Sequence, residues 1–307
     1  MIALAGIDHV SLRVTDVADA AHRWCAQFGL VERSRDGARA RLACDDEPFS
    51  LELVAAETPG LEHVAYALRG SCALADAQAH LDERGIGFEP RDGGLRIDDP
   101  DGNGVLILPR READRRPAHA RPAGNRVVGH PRRLGHVNFL TGRIAAQLDF
   151  YTDVLGMEVT DWLGEEGVWL HVNAEHHVMA LIDKGAPHFH HLAFDVVDIG
   201  QMRVALDHLG RHGRWLAWGP TRHGVGGNIA SYVRIVEEEC FVELYCDMEQ
   251  LGPEHEPRVW PDDRFSSNTW GLLPPRSYFR FDPEAVAAER GSPGMTSEPV
   301  TSDREAG

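Results

Sequence analysis

The sequence predicts an α+β fold of two tandem domains, each made of paired βαβββ modules that form an open barrel. Three observations carry this reading. The chain repeats itself, each copy alternates strand-like with helical patterns, and the landmarks of the two copies keep a nearly constant spacing. "HVSLRVTDVADAAHRWCAQFGL" from His9 aligns without a gap with "HVNFLTGRIAAQLDFYTDVLGM" from His136. His9 to His136 and Gly29 to Gly156 each span 127 positions, while His63 to His191 and Leu81 to Leu209 each span 128. Repetition on this scale means that one structural unit is used more than once.

The elements follow in order. "HVSLRV" and "HVNFLT" have strand composition. "DVADAAHRWCAQF" and "RIAAQLDFYTDVL" place apolar residues at helical spacing, and Gly29 and Gly156 stand where a helix C-cap calls for glycine. "EHVAYAL" and "HHLAFDV" predict a second strand, and "ALADAQAHLDERG" and "IGQMRVALDHLG" a second helix. "GLRIDDPDGNGVLIL" predicts a hairpin with turn residues at its tip. These elements divide the chain into a non-catalytic repeat domain over 1–112, an Arg/Pro-rich linker over 113–130 and a catalytic domain over 131–252. An aromatic and proline-rich segment, 253–289, is too apolar for a free tail and is expected to pack on the second domain. Residues 290–307 have the composition of a disordered tail.

Composition excludes several classes of function. With 43% hydrophobic and 26% charged residues, the 307-residue chain reads as a soluble globular protein. It shows no membrane-length apolar run and no signal-peptide pattern, so a cytoplasmic protein is expected. A formal net charge of −17 argues against nucleic acid and anionic membrane surfaces as partners. The five cysteines lack CxxC spacing and read as reduced thiols. Histidine is the informative residue: nine of the 17 lie between His171 and His223.

Within the second copy, His136 and His191 sit on strand-like segments, and Glu243 lies between apolar neighbours in "CFVELYC". Two imidazoles and a carboxylate on neighbouring strands make a two-His, one-carboxylate metal site with open coordination positions, which suits a catalytic ion. Imidazole plus carboxylate without thiolate favours Fe(II) or Mn(II), and the sequence leaves zinc open. In the first copy His9 and His63 are kept, but Leu106 takes the carboxylate place and cannot donate an oxygen. The first copy is therefore expected to be inactive, its two histidines relics. His176, His177, His223 and Tyr232 are further candidates for proton handling beside the ion. His190, on the opposite strand face from His191, reads as a packing residue.

The motifs "GHVNF", "HHVMAL", "HHLAF", "GPTRHG…Y" and "FVELY", in this order, resemble those of the type I extradiol ring-cleavage dioxygenases of the vicinal oxygen chelate superfamily, over residues 5–283. The resemblance implies the glyoxalase/bleomycin-resistance/dioxygenase-like fold. It makes His136, His191 and Glu243 ligands of Fe(II), and His177 (with His176 as the alternative) the acid/base residue facing oxygen. By the same resemblance His223 and Tyr232 polarise the substrate diol, Trp169 lines the oxygen side of the pocket, and the segment 253–289 packs over the active site. Glu243 is preferred over Glu239 for its apolar strand context. Where homoprotocatechuate enzymes use arginines to hold a carboxylate, this chain has Trp218 and Ser267, which points to a catechol with a neutral or apolar substituent; Arg222 would undercut that if it faced the pocket. The implied partners are a catecholic small molecule and dioxygen, with a homo-oligomer as the assembly. Rival readings are a hydroquinone-cleaving dioxygenase, an isomerase or lyase on the same scaffold, and a protein that sequesters a small aromatic. Oxygen uptake with catechol separates them.

Overall fold

The computed structural model describes residues 2–44, 47–111 and 129–290. Most of the predicted linker (113–128) and of the predicted tail (291–307) lie outside the described residues.

The first half runs β1 (Leu4–Val14), α1 (Val17–Phe28), β2 (Val31–Arg35), β3 (Arg39–Ala43), β4 (Leu51–Ala55), β5 (Gly60–Leu68), α2 (Leu74–Glu83), β6 (Glu89–Arg91), β7 (Gly94–Asp98) and β8 (Gly104–Leu108). The second half runs β9 (Arg133–Thr141), α3 (Ile144–Asp149), β10 (Glu158–Leu163), β11 (Gly167–His171), β12 (Met179–Asp183), β13 (His188–Asp195), α4 (Ile199–Arg211), β14 (Leu216–Arg222), β15 (Ile229–Ile235) and β16 (Cys240–Cys246). After it come β17 (Arg258–Trp260), α5 (Arg264–Ser267), a 3-10 turn (Arg276–Phe279) and α6 (Pro283–Arg290).

Each half forms one barrel-like sheet that does not close, and the repeat read from the sequence is visible in the strand order. The first sheet is ordered β2-β3-β4-β1-β5-β8-β7-β6 and the second β14-β15-β16-β13-β9-β12-β11-β10-β17. At the centre of each, the opening strands of the two modules pair antiparallel (β1 with β5, β9 with β13). Each of these is flanked by a parallel partner, β4 and β8 in the first half, β12 and β16 in the second. Four strands of the second half therefore meet side by side, and their inward side chains share one concavity.

The helices form for the reasons the pattern suggests. In α1 the Asp16 side chain accepts from the Asp19 backbone N–H, and Gly29, at φ 69°, closes the other end with its N–H donated to the Cys25 carbonyl. Its buried stripe is Val17, Ala20, Ala21, Trp24 and Phe28. The equivalent helix of the second copy departs from expectation: α3 runs into a π turn over Phe150–Val154. Thr152 Oγ1 donates to the Leu148 carbonyl at 2.9 Å, competing with the regular backbone ladder at that point.

The two halves are joined by specific contacts. Arg23 on α1 makes a fork of hydrogen bonds to Glu238 at 2.6 and 3.0 Å. The predicted hairpin tip between β7 and β8 meets the second half, where Tyr151 donates its hydroxyl to Asp99 (3.1 Å) and Thr141 donates to Asp101 (2.6 Å). No helix among the described residues is long and apolar enough to cross a membrane.

Candidate metal centre

His136 and His191 each occupy the fourth position of their strand, β9 and β13, rather than opening it, and the antiparallel pair sets them side by side. Glu243 is the fourth residue of β16, in register with Ala193 of β13 and Tyr232 of β15. All three are buried, and Glu243 Oε2 lies 3.1 Å from Nε2 of both imidazoles. Glu239 is elsewhere: it sits in the β15–β16 turn at φ 55°, its carbonyl accepting from His188.

The hydrogen bonds around His191 fix its tautomer. His190 Nε2 lies 2.8 Å from the Tyr278 carbonyl, which can only accept, so that nitrogen carries the proton. Burial lowers the pKa of His190 well below the ordinary histidine value, so the ring is neutral and its Nδ1 is an acceptor. His191 Nδ1, 2.8 Å away, is then the donor. Burial also lowers His191, against the pull of Glu243, so in the neutral ring Nε2 holds a bare lone pair. A lone pair therefore faces a carboxylate oxygen at 3.1 Å. Such a pair is repulsive without a cation between them, and this is the observation that fits the residues to a divalent ion.

Asn228, which the sequence reading did not single out, completes the arrangement. Its Nδ2 donates to Glu243 Oε1 at 3.0 Å and leaves Oε2 toward the imidazoles. Its only signal was its place in the Gly-rich "GVGGN" run. His190 was also missed, because strict alternation puts it on the far face. The β9–β13 register shifts between Phe189 and His191, and this bulge lets both histidines join the site.

His176 and His177 lie in the bend before β12, not on a strand. His177 packs on His136 with ring centroids 4.3 Å apart and lines the cavity. His176 is fully buried behind it: Nδ1 is 3.0 Å from His177 Nδ1, and Nε2 is 3.0 Å from Asp161 Oδ2. Asp161 also accepts from Arg258 at 2.8 Å and from the Trp260 indole N–H at 2.7 Å. Burial pushes His177 well below the ordinary value, helped by the neighbouring His136 and His176. On the opposite wall, His223 Nδ1 donates to the Ser267 carbonyl (2.8 Å), so its Nε2 accepts the Tyr232 hydroxyl at 2.7 Å. Burial, with Glu243 nearby, raises Tyr232 well above the usual phenol value and keeps it protonated.

A cavity of about 300 Å³ opens over these groups. Trp169 and Trp218 line it, and Trp218 stacks on Tyr232 at 5.3 Å. Two expected pocket residues do not: His176 is screened by His177, and Arg222 extends toward Asp247, 3.7 Å away, as a partly exposed pair. Ser267 lines the cavity as expected, and Lys184, also at its wall, is paired with Glu166 at 2.7 Å. The segment after residue 252 contributes Leu273, Pro274, Tyr278 and Phe279 to the cavity. It packs so closely that a Cβ on Gly224 would come within 2.6 Å of the Phe265 carbonyl.

In the first half, Leu106 pairs with Ala65 as Glu243 pairs with Ala193, so it does hold the equivalent place. A carboxylate from a different position nevertheless comes near His9 and His63. Glu52 on β4, in register with Ser11, comes in from the other side, and the ligand atoms of His9, Glu52 and His63 all lie within 4.8 Å of one another. The sequence comparison tested only the position aligned with Glu243, and Glu52 aligns with Ala180 instead.

Residues 133–234 match the model of the Glyoxalase/Bleomycin resistance protein/Dioxygenase superfamily. The chain is similar to metapyrocatechase 2 of Cupriavidus necator, at 27% identity over 91% of this chain and 92% of the relative. It is also similar to metapyrocatechase of Geobacillus stearothermophilus, at 24% identity over 97% and 96% of the two chains. Among solved structures, homoprotocatechuate 2,3-dioxygenase from Arthrobacter globiformis superposes with a TM-score of 0.81 at 22% identity, covering 91% of each chain.

Proposed function

We propose that this chain, a member of the Glyoxalase/Bleomycin resistance protein/Dioxygenase superfamily, is an extradiol dioxygenase that cleaves a catechol ring beside its diol and places both atoms of dioxygen in the product. The observation that carries the reading is the lone pair of His191 Nε2 facing Glu243 Oε2 in a cavity that also presents His177, His223 and Tyr232. His136, His191 and Glu243 would hold Fe(II), or Mn(II) in its place, and such an ion supplies a point where catecholate and dioxygen are held adjacent.

The protein's own groups handle the protons. Tyr232 and His223 form a hydrogen-bonded pair at the substrate side: Tyr232 can accept a diol proton as it passes its own to His223 Nε2, so that the hydroxyl stays protonated. On the other side, His177 takes a proton at Nε2 and passes its Nδ1 proton to His176 Nδ1, where Asp161 stabilises the resulting cation. The reverse movement returns the proton. His177 thus acts first as base and then as acid without exchanging with solvent.

The substrate class follows from charge. Trp218 and Ser267 offer no cation, Arg222 is turned away, and Lys184 is neutralised by Glu166. A ring carboxylate would enter without a free partner, which is costly, so a neutral or alkyl-substituted catechol fits. The test is oxygen uptake by anaerobically prepared, Fe(II)-loaded protein, with product spectra, on catechol, 3- and 4-alkylcatechols, homoprotocatechuate and hydroquinones. Yellow product from the neutral catechols is expected. Absence of uptake across the panel rejects ring cleavage, and strong preference for homoprotocatechuate rejects the substrate class.

A further inference from the structure

We propose that His9, Glu52 and His63 form a second divalent-metal site, in the first half, with a structural role. It does not depend on the ring-cleavage reading. The three side chains come from β1, β4 and β5, the central strands of the first sheet, and all are buried, at 3%, 1% and 0% exposure. The two imidazoles turn Nε2 toward Nε2 at 3.3 Å. They occupy the same positions in their half as His136 and His191 do in theirs.

The surroundings are those of ligating histidines. His9 Nδ1 donates to Asp8 Oδ1 at 2.6 Å, which leaves Nε2 as the ring nitrogen turned inward toward His63. A carboxylate behind a histidine is the usual arrangement that orients a metal-bound imidazole. Asp8 is itself held by Arg111, whose Nε is 2.7 Å from Oδ2. His63 Nδ1 is buried and has no hydrogen-bond partner among the described residues, so no contact on that side fixes its proton there and Nε2 is left to face the site. Glu52 keeps lone pairs for a cation although both oxygens are already in use: Oε2 accepts from Ser11 (3.1 Å), and Oε1 accepts from Arg41 (3.1 Å) with Arg39 at 3.6 Å. The carboxylate thus approaches from β4 rather than β8, a different strand from the one that carries Glu243.

The chemistry of the donors, imidazole and carboxylate without thiolate, suits a first-row divalent ion such as Fe(II) or Zn(II). Two observations make the role structural. None of the three residues lines the cavity of the other centre. The Phe49 ring covers His9 at 4.6 Å and is itself covered by the Arg111 guanidinium at 3.8 Å.

The test is metal content per chain, measured by mass spectrometry on full-length protein stripped with chelator, reloaded anaerobically with Fe(II) and separately with Zn(II), and desalted. Wild type is expected to hold two equivalents. Glu52→Gln, which keeps shape and changes no residue of the second-half site, is expected to hold one, with oxygen uptake retained and a lower melting temperature. His136→Ala is also expected to hold one, without oxygen uptake. The same metal content in Glu52→Gln as in wild type overturns the proposal, whatever the wild-type total. Because metal is counted without substrate, failure of the ring-cleavage assay leaves this result readable.

Discussion

Asn228 donates to Glu243 Oε1 at 3.0 Å, and that bond decides which carboxylate oxygen faces His136 and His191. Asn228→Ala frees the carboxylate to rotate. Partners one step behind a metal ligand typically govern about 10–100-fold in affinity, and a loss of that size is expected here. Competition with a fluorescent chelator measures it, and unchanged affinity would remove Asn228 from the centre.

Asp161→Asn interrupts the path behind His177. The amide can no longer stabilise a cationic His176, so kcat is expected to fall by about 10–100-fold with KM little changed. Steady-state kinetics on a neutral catechol reads this split, and a change in KM alone would argue for a purely structural role.

The same substitution has a pH signature. Burial would raise the Asp161 pKa, but hydrogen bonds from His176, Arg258 and Trp260 outweigh it and hold the carboxyl well below its usual range. A depressed acid contributes stability above its unfolded pKa of about 3.9, and that contribution is lost as pH falls through the folded value. Asp161→Asn is therefore expected to be less stable than wild type by about 1–3 kcal/mol at pH 7, with the gap closing below about pH 4. Urea melts at several pH values follow this, and a gap independent of pH would contradict it.

Glu166→Gln releases Lys184 at the cavity wall. The ion pair is partly exposed and worth about 1 kcal/mol or less, so a severalfold rise in relative kcat/KM for homoprotocatechuate over 4-methylcatechol is expected. An unchanged ratio would show that the substituent does not reach Lys184.

Gly135→Ala places a Cβ on the Tyr245 hydroxyl, whose ring packs against His136 with centroids 4.9 Å apart. Overpacking of this kind costs about 1–3 kcal/mol, and here it also shifts a ligand strand. Lower thermal stability together with weaker metal retention is expected, whereas a loss of stability alone would mean that β9 yields without moving His136.

The sequence made the repeat, the helix ends at Gly29 and Gly156, and the meeting of His136, His191 and Glu243 legible, because strand alternation and capping are local rules. Long-range geometry was not legible. His190 enters through a bulge, and alternation cannot reveal a residue that breaks it. Glu52 and Asp161 come from strands that are close in space but distant in the aligned pattern. Asn228 sits in a loop whose glycines specify a bend without saying what the next side chain will touch.

The carbonyls of Ser267 and Tyr278 hold His223 and His190, and both lie after Glu243, the last of the three ligand positions in chain order. A ribosome releases the ligands before it releases the backbone that orients the rings around them. A nascent chain stopped near residue 250 therefore carries the three ligand residues with the rings of His190 and His223 untethered. Orientation of these two rings therefore waits on the segment that follows Glu243 in the chain.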